Sequence, residues 1–313
     1  VSILTDAVER GIAGADLWAA AFETLDRLHQ RAVVGEVPAV ATGIAPLDQI
    51  LDGGLWPADL VILAARPSVG KTAWLLQVAT YVAASGRQVL MFSLEQAVAQ
   101  LAVRVVAAAT GRPASTIRTG RLTDDEWHAL FESALSRTNE GLHVVDTPGL
   151  TVDQMMSYAQ VRKARAGLDL VVVDYLQLVG RRRGRSREEE VAAISAGLKA
   201  LAKQLAVPVL AAAQLARRTE DRDRPQLSDL RESGAIEQDA DVVMFLWRPK
   251  RDVPEQVRLT VAKHRQGTTG EVDLEFDRQV QRFYAGGGGL RGAPVAPGGT
   301  RPQAGGPGHR DDR

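Results

Sequence analysis

The sequence predicts an α/β fold, a mostly parallel twisted sheet flanked by helices. Three observations carry that expectation. Six apolar runs of strand length recur between residues 60 and 247. Several are apolar throughout, which is how strands buried on both faces of a parallel sheet read. Ala- and Leu-rich stretches of helical length separate them, as crossover connections require.

Taken in order, residues 13–32 have helical spacing. Asp16 can cap the helix, and Leu17, Trp18, Ala21, Phe22, Leu25 and Leu28 fall on one stripe. AVVGEVPAVATG (32–43) reads as a linker, so residues 1–41 form an N-terminal segment. The body spans 42–284 and opens its sheet with LVILAA (60–65), followed by the helical stretch TAWLLQVATYVAASG. QVLMFS (88–93), LHVVD (142–146) and LDLVVVDYL (168–176) are the next strands. EEEVAAISAGLKALAKQL then supplies a helix before VPVLAAA (207–213) and DVVMFLW (241–247). VRLTVAKHR (257–265) and EVDLEFD (271–277), joined by QGTTG, read as a hairpin at the sheet edge. Residues 285–313 are Gly/Pro-rich and almost free of apolar side chains, the composition of a disordered tail.

Bulk composition narrows the function classes. The 313 residues are 45% hydrophobic, enough for a sizeable core. With no Cys there is no disulfide framework and no thiol nucleophile, which suits a reducing cytoplasm. No run approaches the ~18 apolar residues of a membrane span, and VSILTDAVERG lacks a secretory pattern. The chain begins with Val rather than Met and is expected to be a fragment of a longer protein. Formal net charge is zero, so nucleic acid is not held by bulk positive charge and any contact comes from local patches.

The sharpest local signal is AARPSVGKTA (64–73), directly after the first strand and opening a helix. It matches the phosphate-loop pattern G-x-x-x-x-G-K-[ST] except that Ala65 stands at the first Gly. Backbone N–H groups over Arg66, Pro67, Ser68, Val69 and Gly70, with the helix start at Ala73, form an anion cradle in which proline contributes only geometry. Lys71 reaches the β- and γ-phosphates and Thr72 ligates Mg²⁺. Position 65 needs only a small residue. The partner carboxylate for the metal is Asp174, at the C-terminal end of LVVVD, where open α/β sheets bind ligands. Glu95, just past the next strand, is the candidate base for water. Gln214 ends a further strand on the same edge and is a candidate γ-phosphate sensor. On local pattern alone, Asp174 can also be a strand-end cap, Glu95 a helix-start carboxylate and Gln214 a solvated strand end.

Together these motifs resemble one family. AARPSVGKT, FSLE (92–95), DYLQL (174–178), Gln214 followed by paired Arg, and SDLRESGAIEQDAD (228–241) are similar to the ATPase domain of replicative DnaB-type DNA helicases. That family tolerates Ala at the first loop position. The resemblance covers residues 42–284 and implies a RecA-like P-loop NTPase that binds ATP and Mg²⁺. It implies a homo-hexameric ring with ATP sites between subunits, threading single-stranded DNA and unwinding duplex in the 5'-3' direction. The family's K-x-R-x-G segment, which reaches into the neighbouring subunit's site, maps to Lys263 and Arg265. Its channel-lining DNA loop maps to Arg231, Glu232 and Gly234. The stripe at 13–32 resembles the family's linker helix. A helicase loader is a candidate partner, whereas the primase-contacting N-terminal domain has no counterpart, so a primase contact is not supported. Without the resemblance, KHRQG reads as a basic solvated hairpin turn and GRRRGRSR (180–187) as a surface loop or a second DNA-facing stretch. A strand-exchange or signalling ATPase of the same fold is the alternative function. A non-enzymatic DNA-binding module is a third.

Overall fold

The structure is a computed structural model and describes residues 25–26, 38–137, 141–180, 186–215, 224–250 and 252–286, without the side chains of residue 187 and residues 231–233. The chain divides into two units, Val1–Pro38 and Ala39–Arg313. In the first, Leu25 and Asp26 are helical and exposed. The rest of the expected helix over 13–32, the basic stretch at 181–185 and the tail beyond 286 lie outside the described residues.

The second unit is built on one nine-stranded sheet. In chain order it runs α1 (Ala45–Ile50), β1 (Leu60–Ala65), α2 (Lys71–Ala84), β2 (Val89–Ser93), α3 (Val98–Thr110), α4 (Ala114–Thr119) and α5 (Asp124–Leu135). It continues with β3 (Leu142–Val145), α6 (Val152–Ala166), β4 (Leu170–Asp174), α7 (Arg187–Leu205) and β5 (Val209–Gln214). The closing elements are α8 (Gly234–Asp239), β6 (Val242–Trp247), β7 (Gln256–His264), β8 (Gly270–Asp277) and β9 (Arg282–Ala285). The strand order is β3-β2-β4-β5-β1-β6-β7-β8-β9. Strands β1 to β6 pair in parallel, while β7, β8 and β9 extend the sheet antiparallel. The expected hairpin is β7–β8, and β9 continues it to complete that side of the sheet.

Both sheet faces are covered. In β1, Val61, Leu63 and Ala65 face a core cluster with α2, while Leu60, Ile62 and Ala64 face a second cluster with α6 and α7. Unbroken apolar strands follow from this, because period-2 alternation delivers a side chain to each core in turn. Helix starts are set locally by capping boxes. Thr123 and Glu126 begin α5, Thr151 and Gln154 begin α6, and Ser186 and Glu189 begin α7. Among the described residues, no helix is long and apolar enough to cross a membrane.

One buried charge cluster lies at the N-terminal edge of the parallel strands. Burial, and then the Asp241 carboxylate, push Asp59 up to about 6, with Lys199, His264 and Arg265 opposing. An acid raised in the folded state contributes stability at low pH that is lost as pH rises through about 6. Asp59→Asn is therefore expected to stabilise the protein at pH 8 by about 1–3 kcal/mol relative to the parent, and by little at pH 4. Paired urea melts at the two pH values check this. An equal effect at both overturns it.

Candidate nucleotide site

β1 delivers the chain to the loop 66–70, and α2 leaves it at Lys71. The loop turns on two left-handed positions, Ser68 (φ 63°) and Gly70 (φ 114°). Glycine at 70 is doubly required. Its backbone lies where side chains are strained, and a Cβ there would sit 2.8 Å from Phe283 Cζ and 3.2 Å from Phe276 Cε1. Those two rings stack at 4.3 Å and form the floor beneath the loop. Phe283 is fixed in turn by Gln77 of α2, whose side chain donates to its carbonyl (2.9 Å) and accepts from its N–H (2.7 Å).

The first turn of α2 points its polar side chains at the end of β4. Thr72 Oγ1 donates to Asp174 Oδ2 at 2.7 Å. The other carboxylate oxygen, Asp174 Oδ1, is buried and has no hydrogen-bond partner. Lys71 Nζ donates to the Ala213 carbonyl of β5 at 3.0 Å and lies 5.3 Å from the centre of the Tyr175 ring. Burial lowers the Lys71 ammonium to about 8, against the pull of Asp174 and Glu95. Burial likewise raises the Asp174 carboxyl, opposed by the Thr72 hydrogen bond and by Lys71. Glu95 is exposed beyond β2. The backbone N–H of Leu94 holds that segment to the Asp174 carbonyl at 2.8 Å. The structure thus gathers Lys71, Thr72, Asp174 and Glu95 at one sheet edge. Gln214 lies there too, its main chain bracketed by the Gln177 amide at 3.2 Å in both directions.

Two cations that the sequence did not single out also belong to this edge. Arg248, just past β6, donates to the Ser68 carbonyl at 2.5 Å and grips the loop from the side opposite β5. Arg104 of α3 is paired with Gln281 at 3.2 Å, and burial lowers its guanidinium against Asp174 and Glu95. A groove of about 410 Å³ opens beside it, lined by Ala73, Gln77, Gln281 and Phe283 among others. An arginine directly after an apolar strand parallel to β1 is the signal that could have found Arg248. Arg104 reads only as a polar break in an Ala/Val-rich helix.

The remaining expected site residues lie elsewhere in the chain. Lys263 and Arg265 end β7, beside Val242 and Val243 at the start of β6. That is the opposite edge of the sheet, a strand length of roughly 17 Å from the loop. Lys263 Nζ donates to the carbonyls of Glu237 and, at 2.8 Å, of Ala240. Arg265 donates to the Gln238 carbonyl and faces Asp241 Oδ1 at 3.5 Å. Within one chain, neither reaches the phosphate loop. Residues 227–233 form a 3-10 segment that runs straight into α8 at Gly234, which is exposed. The side chains of Arg231 and Glu232 fall outside the described residues.

Comparison with known proteins matches this geometry to one group. Residues 39–285 fit the family model of the DnaB-like helicase C terminal domain. The chain is 40% identical over 278 residues to the replicative DNA helicase DnaB of Geobacillus stearothermophilus, covering 86% of this chain and 61% of that protein. It is 39% identical over 279 residues to the replicative DNA helicase DnaC of Bacillus subtilis (strain 168), again covering 86% of this chain and 61% of that one. The chain thus spans less than two thirds of these relatives. Among solved structures, an ATPase domain determined on its own superposes with a TM-score of 0.79 at 31% identity, covering 87% of this chain and 99% of that one. A DnaB-like replicative helicase solved for its interactions with primase gives 0.76 at 31% identity, covering 90% and 70%. The sheet, its flanking helices and the loop are those of a RecA-like ATPase domain, and the chain belongs to the DnaB-like helicase C-terminal domain family.

Proposed function

We propose that residues 42–284 are the ATP-driven motor domain of a ring-forming DNA helicase that moves on single-stranded DNA and unwinds duplex. One observation carries the reading. Thr72 and Asp174 meet beside the phosphate loop with a buried carboxylate oxygen unpartnered, and Lys71 and Glu95 flank them. A hydroxyl and a carboxylate, both oxygen donors, suit Mg²⁺, which binds through one or two carboxylates plus substrate phosphates. Mg²⁺ bound there with ATP neutralises charge on the β- and γ-oxygens.

The chain's own residues do the rest. The loop from Ala65 to Ala73 cradles the phosphates through its backbone. Lys71 gives up the Ala213 carbonyl for a phosphate oxygen, a better partner for an ammonium. Glu95 orients the attacking water and accepts its proton, and Gln214 reports the γ-phosphate through Gln177. The groove beside Arg104 gives the nucleoside room. Lys263 and Arg265, turned away from their own loop, serve the site of the next copy in a hexamer, where an arginine supplied in trans stabilises transition-state charge. The segment holding Arg231, Glu232 and Gly234 contacts the DNA backbone.

The test is ATP hydrolysis with and without single-stranded DNA, across protein concentrations that bracket assembly. Stimulation by DNA that appears only at the higher concentrations is the expected result. Hydrolysis indifferent to DNA at every concentration overturns the helicase reading in favour of a signalling-type ATPase.

A further inference from the structure

We propose that Asp241 is the positioning residue for Arg265, and that it sets the register between a subunit's own phosphate-loop strand and the arginine it lends to its neighbour. The inference rests on the trans reading of Arg265 given above.

Asp241 is 5% exposed and stands where four elements meet. Its Oδ2 accepts from the backbone N–H of Leu60, the first residue of β1, at 2.8 Å, and its own N–H donates to the Leu60 carbonyl at 2.9 Å. The same Oδ2 accepts from Lys199 of α7 at 2.5 Å, and Lys199 also donates to the Ala58 carbonyl at 2.9 Å. These contacts leave the carboxylate one direction to offer. There, Oδ1 faces the Arg265 guanidinium at 3.5 Å, while the Asp241 carbonyl accepts from the Arg265 N–H at 2.9 Å.

The Arg265 side chain is 45% exposed, so its guanidinium is braced on one side and open on the other. A long side chain at the end of a hairpin strand otherwise samples many rotamers, and a planar fork delivers its charge only when oriented. The brace is also tied to β1, whose far end is the phosphate loop. A shift of β1 when its own loop fills therefore moves the residue that holds the finger for the next site. Surface neutralisation does not account for the arrangement, because the carboxylate is buried and already paired with Lys199.

The experiment uses the assembled protein with Mg²⁺, ATP and a homopolymeric single-stranded oligonucleotide. Asp241→Asn is expected to lower kcat about ten- to a hundredfold, part of what a trans arginine supplies, with KM for ATP within about threefold. In an Arg265→Gln background it should cost nothing further. Mixed with Glu95→Gln chains, Asp241→Asn chains should hydrolyse ATP faster than either alone, because a Glu95→Gln subunit lends a correctly held arginine to an intact site. Full additivity with Arg265→Gln, or no recovery on mixing, assigns Asp241 a role confined to its own subunit and overturns the proposal. If Asp241→Asn fails to assemble, Asp241→Glu keeps the charge while displacing it, and the same non-additivity is required of it. Arg265→Gln mixed with Glu95→Gln is the control. Failure of that pair to complement removes the trans reading itself, whereas complementation there and none with Asp241→Asn removes Asp241 alone.

Discussion

Glu95→Gln is expected to bind ATP within about threefold of the parent and to lose about 10²- to 10⁴-fold in turnover, the range a positioned general base supplies. Glutamine keeps the shape and the hydrogen-bonding reach but cannot accept the proton from water. Neither the fold nor the phosphate cradle depends on this side chain, since the segment is held by Leu94, buried to 7%, and by its N–H bond to the Asp174 carbonyl. Fluorescent-nucleotide titration and phosphate-release kinetics separate the two effects. Turnover within about twofold of the parent removes Glu95 from the role, because a base that contributes so little is not the base.

Lys71→Met is expected to abolish measurable hydrolysis, a loss of about a hundredfold or more, together with tight nucleotide binding. The methionine stem fills the space of the lysine stem but leaves no charge for the phosphates. The empty protein should not suffer, because burial already disfavours the ammonium, lowering it to about 8. Thermal melts with and without ATP read this directly. The variant should melt at or slightly above the parent without nucleotide and show no upward shift when ATP is added, since only a ligand that binds the native state stabilises it. A normal ATP-induced shift in Lys71→Met would falsify the phosphate-contact assignment.

Much of this molecule is legible in the order of its residues. The apolar runs at 60–65 and 168–176 declare strands covered on both faces, and both strands place alternate residues in two cores. The capping pairs Thr123/Glu126, Thr151/Gln154 and Ser186/Glu189 announce helix starts. Lys71, Thr72, Asp174 and Glu95 follow from strand ends that the topology must bring to one edge. What escapes such reading depends on distant pairing. RFYA is too short to stand out beside a Gly-rich tail, yet as β9 it supplies Phe283, the floor under Gly70. Arg248 acquires its meaning only because β6 lies beside β1. The distance of Lys263 and Arg265 from their own loop is equally invisible in the sequence, because it depends on β7 running antiparallel to β6.

The contact of β9 with Gly70 also says something about synthesis. A ribosome makes the phosphate loop early and its floor late, because Gln77 and Phe283, which lock together, are 206 residues apart. Strand β1 itself lies between β5 and β6, so both of its neighbours emerge after residue 208. A nascent chain arrested before residue 282 therefore displays the loop sequence without the surface that shapes it. Such a chain has no finished nucleotide site, so premature ATP binding cannot begin on a half-made subunit. Competence arrives with the last strand, when nearly the whole domain has left the exit tunnel.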